Sequence, residues 1–460
     1  MNSSDLYAKI APSKLFFMIA IPGAISMIAS SLWGLFDGIF VGNLLGETAF
    51  AALNLAFPFV IINFSLADLI GVGSAVNISI LLGKKENREA NNYFTCACFM
   101  IFITGFIAGA ALFFSAPALM RLMGAGGELA ALAVQYIRVY AIASPFTTIV
   151  FAVDNFLRIC GKIKSSMALN ILMSVLILGL EYLCLAVLKM GISGSAFAVS
   201  CGMFLCAVIA LYPFVKKKLI LRFCKPRFSV GMIRRVIAGG SPNFLSNVAS
   251  RLTSILMNIV LLNMGGSIAV SVYGVLMYAG DTIQQLLYGT CDGMQPAIGY
   301  NWGANHIGRV KSLFKCCVIA CAVISVGGTI FMAVFPDTIV ALFVQENEKE
   351  LLTMAAYALQ LYSLTFLTRW FGFAVQSVLV TLERPLPATI LSLANALGIP
   401  IALLPILWPL KLDGLWMNTP ITSLLVSLLA LIFFIHWWRY SLARDPAASE
   451  ELCESDTSEE

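Results

Sequence analysis

Twelve long apolar stretches run through the chain, and their length constrains the fold more than any other feature. Each holds roughly 20 or more residues with few charges, which is about what an α-helix needs to cross the bilayer core. Only 12% of the 460 residues are charged, whereas about a quarter are charged in a soluble domain. The sequence therefore predicts an all-α polytopic membrane protein. The twelve predicted transmembrane helices are 15–40, 49–82, 92–117, 129–157, 164–188, 192–215, 233–262, 267–299, 312–336, 350–380, 386–409 and 414–439.

The basic residues predict how these spans are oriented. With both termini in the cytoplasm, most of the 29 Lys and Arg residues fall in cytoplasmic loops. The outer loops then hold only Arg121, Lys189, Lys349 and Lys411. This bias agrees with the positive-inside rule, and an odd number of spans would destroy it. We therefore expect a multi-pass protein of the plasma membrane, the bacterial inner membrane, with both termini cytoplasmic.

The two halves of the chain resemble each other at one constant offset in residue number. Matching pairs are Gly46 and Gly266, Gly73 and Gly293, Gly83 and Gly303, Glu128 and Glu348, Ala168 and Ala388, and Gly194 and Gly414. We expect two pseudo-symmetric six-helix bundles, an N-terminal lobe (1–215) and a C-terminal lobe (236–440). A basic cytoplasmic linker (216–235) joins them, and a disordered acidic tail (441–460) follows. Parallel repeats with a site at their interface are a transporter architecture.

Several functional classes are excluded by composition. The chain has only two His, and its twelve Cys show no metal-binding spacing. No nucleophile-elbow pattern or His-containing acid/base pair is present, so we expect no metal, no cofactor and no enzymatic activity. The basic linker is interpreted as a topology anchor that contacts lipid headgroups, and no nucleic-acid partner is expected.

Acidic residues inside the predicted spans are the first candidates for function. A charged side chain at the bilayer centre costs about 2.5–3.5 kcal/mol on insertion scales, so such residues are functional candidates by default. Asp37 lies late in the first span and is interpreted as a reversible proton carrier. Glu181 lies midway along the fifth span, and if it faces Asp37 the two would titrate as a coupled pair; a structural role for Glu181 stays open. Asp154 and Arg158 are expected to form an i,i+4 ion pair.

A second set of polar residues is predicted to line a substrate cavity. Asp281, Gln284 and Asp292 recur at helical spacing in the eighth span, with Gln285 beside them, so they share one face. Arg251 and Arg369 also lie within spans and are possible partners for these acids. Asp68, near the middle of the second span, faces either a water-filled cavity or a neighbouring helix.

Five segments carry a resemblance to a known family. They are Phe36–Gly46, Leu82–Lys84, Gly191–Ala196, Gln295–Asn305 ahead of Arg309, and Gly414–Trp416. In sequence and spacing these segments resemble the multidrug and toxic compound extrusion (MATE) family, over nearly the whole chain. The resemblance implies a transporter of two six-helix bundles that exports compounds as H⁺ or Na⁺ enters. It also implies a cation site in the first lobe, at Asp37 and Glu181.

The chain departs from the family pattern at this implied cation site. Ile177 stands where the family has Asn, Glu181 where it usually has Asp, and Val199 where it has Thr. Two oxygen ligands are thereby lost. Since Na⁺ needs several oxygens and a proton needs one carboxylate, the departures favour H⁺ as the coupling ion, with Na⁺ as the alternative. Asn395 replaces the family's Arg in helix eleven.

Together these features predict a secondary active multidrug efflux antiporter that works by alternating access. It would export organic cations or amphipathic compounds in exchange for H⁺. The alternative is a lipid or lipid-linked sugar flippase of the same superfamily, which a strongly cationic central cavity would favour. Its expected partners are membrane lipids and small amphipathic or cationic substrates, and we expect a monomer.

Overall fold

The long apolar stretches form α-helices in the computed structural model, which describes residues 3–343 and 349–442. No β-strand occurs within those ranges. A π-helical segment, Leu183–Val187, follows α7. The helices of the first part of the chain are α1 (Ser3–Lys9), α2 (Pro12–Leu45), α3 (Glu47–Gly83), α4 (Asn87–Leu122), α5 (Gly127–Thr147), α6 (Ile149–Ile159), α7 (Ile163–Tyr182), α8 (Ile192–Val215) and α9 (Val230–Gly303).

The rest of the described chain is equally helical. A second π-helical segment, Ala394–Gly398, joins α14 to α15, and a short 3-10 turn, Trp408–Leu410, precedes α16. The helices here are α10 (Ile307–Val334), α11 (Pro336–Val340), α12 (Lys349–Ser363), α13 (Thr365–Thr381), α14 (Pro385–Leu393), α15 (Ile399–Leu407) and α16 (Lys411–Leu442).

In the described part of the chain these elements make twelve crossings of the length that a bilayer requires. Helix α9 supplies two of them, because it breaks at Gly266, where φ is 64° and ψ is −161°. We call residues 230–265 its first arm and residues 267–303 its second arm. Three crossings are each made of two helices, α5 with α6, α12 with α13, and α14 with α15. The α12–α13 crossing is bent by 44°. The all-α, twelve-span prediction is therefore confirmed.

The described residues form two compact units. The first unit contains residues 3–9 and Ile21–Val248. The second unit contains Ile10–Ala20 together with 249–343 and 349–442. Helices α2 and α9 each contribute residues to both units, so the boundaries at 20/21 and 248/249 fall inside helices.

The internal repeat is visible in the backbone at the turns between crossings. Gly46 and Gly266 both have positive φ, 89° and 64°. Lys85 and Asn305 also share this conformation, at 63° and 59°. Positive φ is rare for residues other than Gly, so two pairs of turns at the offset of the sequence repeat mark equivalent positions in the two halves.

The constant offset does not hold at the helix breaks that follow these turns. Helices α5 and α6 meet at Thr148, and their counterparts α12 and α13 meet at Leu364 rather than at Thr368. The helices ahead of the break are shorter in the second half: α10 and α12 have 28 and 15 residues, whereas α4 and α5 have 36 and 21. Glu348, which the offset pairs with Glu128, lies outside the described residues, as does the tail from residue 443.

Many large apolar side chains lie on the outside of both units. Phe114, Leu122 and Val230 are among the most exposed of them. Exposure of this kind is unusual on a soluble monomer, whereas lipid tails are a suitable surrounding for such side chains. Each unit also has an apolar core of its own, with Tyr136 and Ile192 in the first and Leu261 and Phe366 in the second.

Glycines bring two backbones into direct contact inside the first unit. A Cβ atom added at Gly240, in the first arm of α9, would overlap the backbone of Leu69 in α3. A Cβ atom at Gly73 would likewise overlap the backbone carbonyl of Val236. Small residues at such crossings allow membrane helices to pack by close van der Waals contact.

We expect Gly240→Ala to destabilise the protein by about 1–3 kcal/mol, because the added methyl meets backbone that cannot rotate away. The thermal unfolding midpoint in detergent would measure this. Gly274→Ala on the same helix is the matched control, since no atom lies within 4 Å of its added Cβ. Equal midpoints for the two variants would contradict the close packing of α3 and α9.

Candidate functional site

Asp37 is a buried carboxylate held by the start of α8. Its side chain lies in α2, is only 1% exposed and accepts a hydrogen bond of 3.0 Å from the Ser195 hydroxyl. Helix α8 begins directly after Gly191, whose φ of 64° permits the turn from the preceding segment. Ser195 is thereby placed in the first turn of α8 and is itself fully buried.

Glu181 lies beside this pair at the end of α7. It is fully buried and interacts with both Asp37 and Ser195. Among the described residues, however, neither of its carboxylate oxygens completes a hydrogen bond of normal geometry. The π-helical segment Leu183–Val187 follows almost at once, and such segments are frequent at functional sites. Two predicted site residues from helices far apart in sequence are thus brought together.

Tyr136 completes the cluster and was not among the site residues predicted from sequence. Its buried phenol in α5 lies near both carboxyl groups and Ser195. One turn further along α5, Tyr140 accepts a hydrogen bond of 3.2 Å from the Asn63 amide. A tyrosine in an apolar span carries no charge that would single it out. The one pattern in the sequence is the spacing of Tyr136 and Tyr140, four residues apart, which places both on one face of the helix. We call Asp37, Glu181, Ser195 and Tyr136 the carboxyl cluster.

Two positions next to the carboxyl cluster along α7 and α8 have hydrocarbon side chains without oxygen. Ile177 lies one turn before Glu181 on α7, and Val199 lies one turn after Ser195 on α8; both are buried. Ile177 packs against Gly202 of α8, where an added Cβ would be crowded by its side chain. Within the described residues no group of three or more His, Cys, Asp or Glu could hold a metal ion.

The carboxyl cluster is suited to holding a proton. An isolated ionised carboxylate is very costly away from water, and two such groups side by side disfavour double ionisation. The pair therefore offers adjacent carboxyl oxygens to which a proton can bind. A water-filled path would let that proton leave, and the charge left behind would change the packing of α2, α7 and α8.

Asp68 is not part of the carboxyl cluster. It is half-buried on α3 and interacts with neighbouring groups of its own. The interactions that join Asp37, Glu181, Ser195 and Tyr136 do not include it. Its predicted place in a substrate cavity stays a prediction.

The other predicted cavity residues lie on the second arm of α9, in the second unit. Asp292 accepts hydrogen bonds from the Gln295 amide (2.8 Å) and from the Ser377 hydroxyl of α13 (2.9 Å). Gln284 is buried, and Tyr288 lies between it and Asp292 and interacts with both. Asp281 is exposed and lies within electrostatic reach of Arg369 and Arg251.

The predicted Asp154–Arg158 ion pair is present. Both side chains are buried in α6, and the Arg158 guanidinium donates to the Asp154 carboxylate at 2.6 Å. Ser166 and Asn170 of α7 also donate to Asp154, the latter at 3.1 Å. The Tyr7 hydroxyl of α1 donates to the backbone carbonyl of Arg158. This network ties three helices of the first unit together.

Comparisons with known proteins agree on one family. The sequence model of the MatE family matches residues 22–183 and 242–406. The multidrug export protein MepA of Staphylococcus aureus (strain MSSA476) is 25% identical over 416 residues, which cover 87% of this chain and 89% of that protein. MepA of Staphylococcus saprophyticus is 23% identical over 466 residues, which cover 97% and 99%.

Solved structures show the same two-lobe fold. A crystal structure of MATE in complex with MaL6 has a TM-score of 0.89 at 21% identity and covers 98% of this chain and 99% of its own. A MOP superfamily transporter from Pyrococcus furiosus, whose binding pocket has reverse polarity, also has a TM-score of 0.89 at 21% identity, covering 97% and 98%.

Proposed function

Because the chain belongs to the MatE family of membrane transporters, we propose that it is a secondary antiporter that exports organic cations or other amphipathic compounds in exchange for H⁺. Relatives named as multidrug export proteins cover most of its length and support efflux as the direction of transport. The bias of basic residues supports a bacterial inner-membrane protein with both termini in the cytoplasm.

The carboxyl cluster is the observation that carries the proposal. Asp37 and Glu181 are both buried in the first unit, and neither has a cationic partner within the cluster. Intramembrane acids of this kind serve as proton relays in pumps and transporters. Protonation removes a charge from the cluster, and deprotonation restores it, so the ion gradient acts on the packing of α2, α7 and α8.

The side chains beside the carboxyl cluster favour H⁺ over Na⁺ as the coupling ion. A hard cation is bound by several oxygen ligands, whereas Ile177 and Val199 present only carbon beside the cluster. A proton needs a single carboxylate oxygen. Proton uptake from outside would neutralise Asp37, with Glu181 sharing the titration, and so release substrate and permit return to the inward-open state.

Efflux of a fluorescent cation from proteoliposomes tests the proposal. A proton gradient and a sodium gradient would be imposed separately, each at zero membrane potential. We expect efflux only with the proton gradient. Efflux driven by sodium alone would refute proton coupling, and no efflux with either gradient across a broad substrate panel would favour a lipid or lipid-linked sugar flippase.

We also expect that restoring oxygen ligands will introduce a response to sodium. The double variant Ile177→Asn, Val199→Thr adds an amide and a hydroxyl beside Asp37 and Glu181, which supplies the several oxygens that a hard cation binds. Efflux by this variant should become stimulated by a sodium gradient, whereas the wild type should not respond. The control pair Ile177→Val, Val199→Ala changes size without adding oxygen. Sodium stimulation of that control would show that ligand chemistry is not the cause.

A further inference from the structure

Arg251 and Asp281 lie at the same depth in the second unit. Arg251 precedes Gly266 on the first arm of α9 by as many positions as Asp281 follows it on the second arm. At 1.5 Å per residue, each lies about 22 Å from the turn along its helix axis. This distance places both charges well inside the ~30 Å hydrocarbon core.

Arg369 reaches the same place from a third helix. Asp281 interacts electrostatically with two arginines, more strongly with Arg369 than with Arg251. Tyr362 and Tyr273 also lie close to both Asp281 and Arg369. Arg369 lies shortly after the break between α12 and α13 at Leu364, and interrupted membrane helices are where transporters build substrate sites.

The three charged side chains lie near one another, but in the described part of the chain they form no ion pair. Among the described residues, neither guanidinium donates a hydrogen bond, and no ion pair joins either of them to Asp281. Arg251 and Asp281 are exposed and Arg369 is half-buried. Two positive charges against one negative charge give this group of side chains a net positive charge, and we call the three residues the arginine recess.

A positive charge retained at this depth needs a partner that the described side chains do not supply. The planar guanidinium matches carboxylate and phosphate groups with two parallel hydrogen bonds. We propose that Arg251 and Arg369 bind the anionic oxyacid group, a carboxylate or a phosphate, of an amphipathic ligand. That this ligand is exported rests on the proposed function; its binding does not.

The negative charge of Asp281 leads to a prediction of opposite effects for substitutions within the arginine recess. Its carboxylate repels an incoming anion and weakens the positive field of Arg369. Removing this charge should therefore strengthen anion binding, whereas removing either arginine should weaken it. A purely structural role for the three residues predicts no such opposition.

The test uses two dyes that differ in one charge. Rhodamine B carries a free carboxylate, and its ethyl ester is otherwise the same molecule without it. Binding of each dye to the detergent-purified full chain would be measured by fluorescence anisotropy, for the wild type, Arg251→Gln, Arg369→Gln and Asp281→Asn. Arg138→Gln, at an arginine in a span of the first unit, is the matched control, and Arg369→Lys retains the charge if the Gln variant misfolds.

We expect each arginine variant to weaken rhodamine B binding by roughly tenfold, the value of one charge-assisted hydrogen bond, with the ester changed less than about twofold. Asp281→Asn should tighten rhodamine B, and Arg369→Lys should retain part of the preference for rhodamine B over its ester. Equal losses for both dyes, or no loss for either, would overturn the proposal.

Nanodiscs distinguish the source of the anionic group. If phosphatidylglycerol displaces rhodamine B but not its ester, the site holds a lipid headgroup; if rhodamine B stays bound, it takes the substrate's own carboxylate. Both results support the arginine recess. Binding that depends on the arginines, without gradient-driven efflux of any compound in the substrate panel, would contradict the antiporter proposal and leave the arginine recess intact.

Discussion

Replacing Asp37 with Asn is expected to reduce proton-driven efflux to the level of protein-free liposomes. The amide has nearly the shape of the carboxyl group and can keep the hydrogen-bonding position opposite Ser195, which donates at 3.0 Å in the wild type. It cannot take up or release a proton. Each proton that enters along the membrane potential contributes about 2.3 kcal/mol per 100 mV. This free energy supports roughly a 50-fold ratio of substrate concentrations across the membrane. The variant should lose this driving force.

The measurement is dye efflux from proteoliposomes with an imposed proton gradient. Asp337→Asn, the same chemical change at an exposed position in α11, is the control and should transport normally. Insertion and thermal stability of the Asp37 variant should match the wild type. Substantial gradient-driven efflux by Asp37→Asn would show that the proton is carried elsewhere.

Arg158→Met is expected to destabilise the first unit by about 3–5 kcal/mol. The substitution preserves much of the side-chain volume but leaves the buried Asp154 carboxylate without its cation, and an uncompensated buried charge carries a cost of this size. Ser166 and Asn170 still donate to Asp154, but two neutral donors do not replace a guanidinium at 2.6 Å.

Unfolding in detergent, followed by near-ultraviolet circular dichroism, would measure the loss. Arg138→Met is the matched control, because Arg138 is exposed and pairs with no carboxylate in the described part of the chain: its guanidinium makes a long hydrogen bond of 3.4 Å to the Phe113 carbonyl and lies 5.2 Å from the centre of the Phe113 ring. The double variant Asp154→Asn, Arg158→Met should recover most of the stability, since it leaves no buried charge. A double variant as unstable as the single one would contradict this explanation.

The fold was largely predictable because hydropathy dictates where a chain can cross a bilayer. Glycine also marked the turns, as Gly46 and Gly266 show. The breaks within crossings were harder to foresee. Pro145 precedes the break at Thr148 and removes a backbone donor there, but no Pro or Gly stands at Leu364. At that bend the Thr329 hydroxyl of α10 donates to the backbone carbonyl of Ser363 (3.2 Å), a contact between helices that the local sequence does not reveal.

The carboxyl cluster was predictable only in part. Asp37 and Glu181 stood out because charge is rare inside spans, and the family resemblance paired them. Tyr136 carries no charge and resembles an ordinary core tyrosine, so only its position against both acids identifies it. Arg251 and Arg369 were recognised as possible partners of the acids, but sequence could not show that they approach Asp281 without an ion pair.

Proton movement driven by a substrate gradient tests the central proposal most directly. A cationic substrate would be loaded into proteoliposomes that start with equal pH on both sides and a clamped potential, and an entrapped pH dye would report the interior. Exchange predicts that substrate leaving the liposomes drives protons inward in the wild type and drives none in Asp37→Asn. Substrate efflux without any proton movement, or with sodium moving instead, would contradict proton-coupled exchange at Asp37.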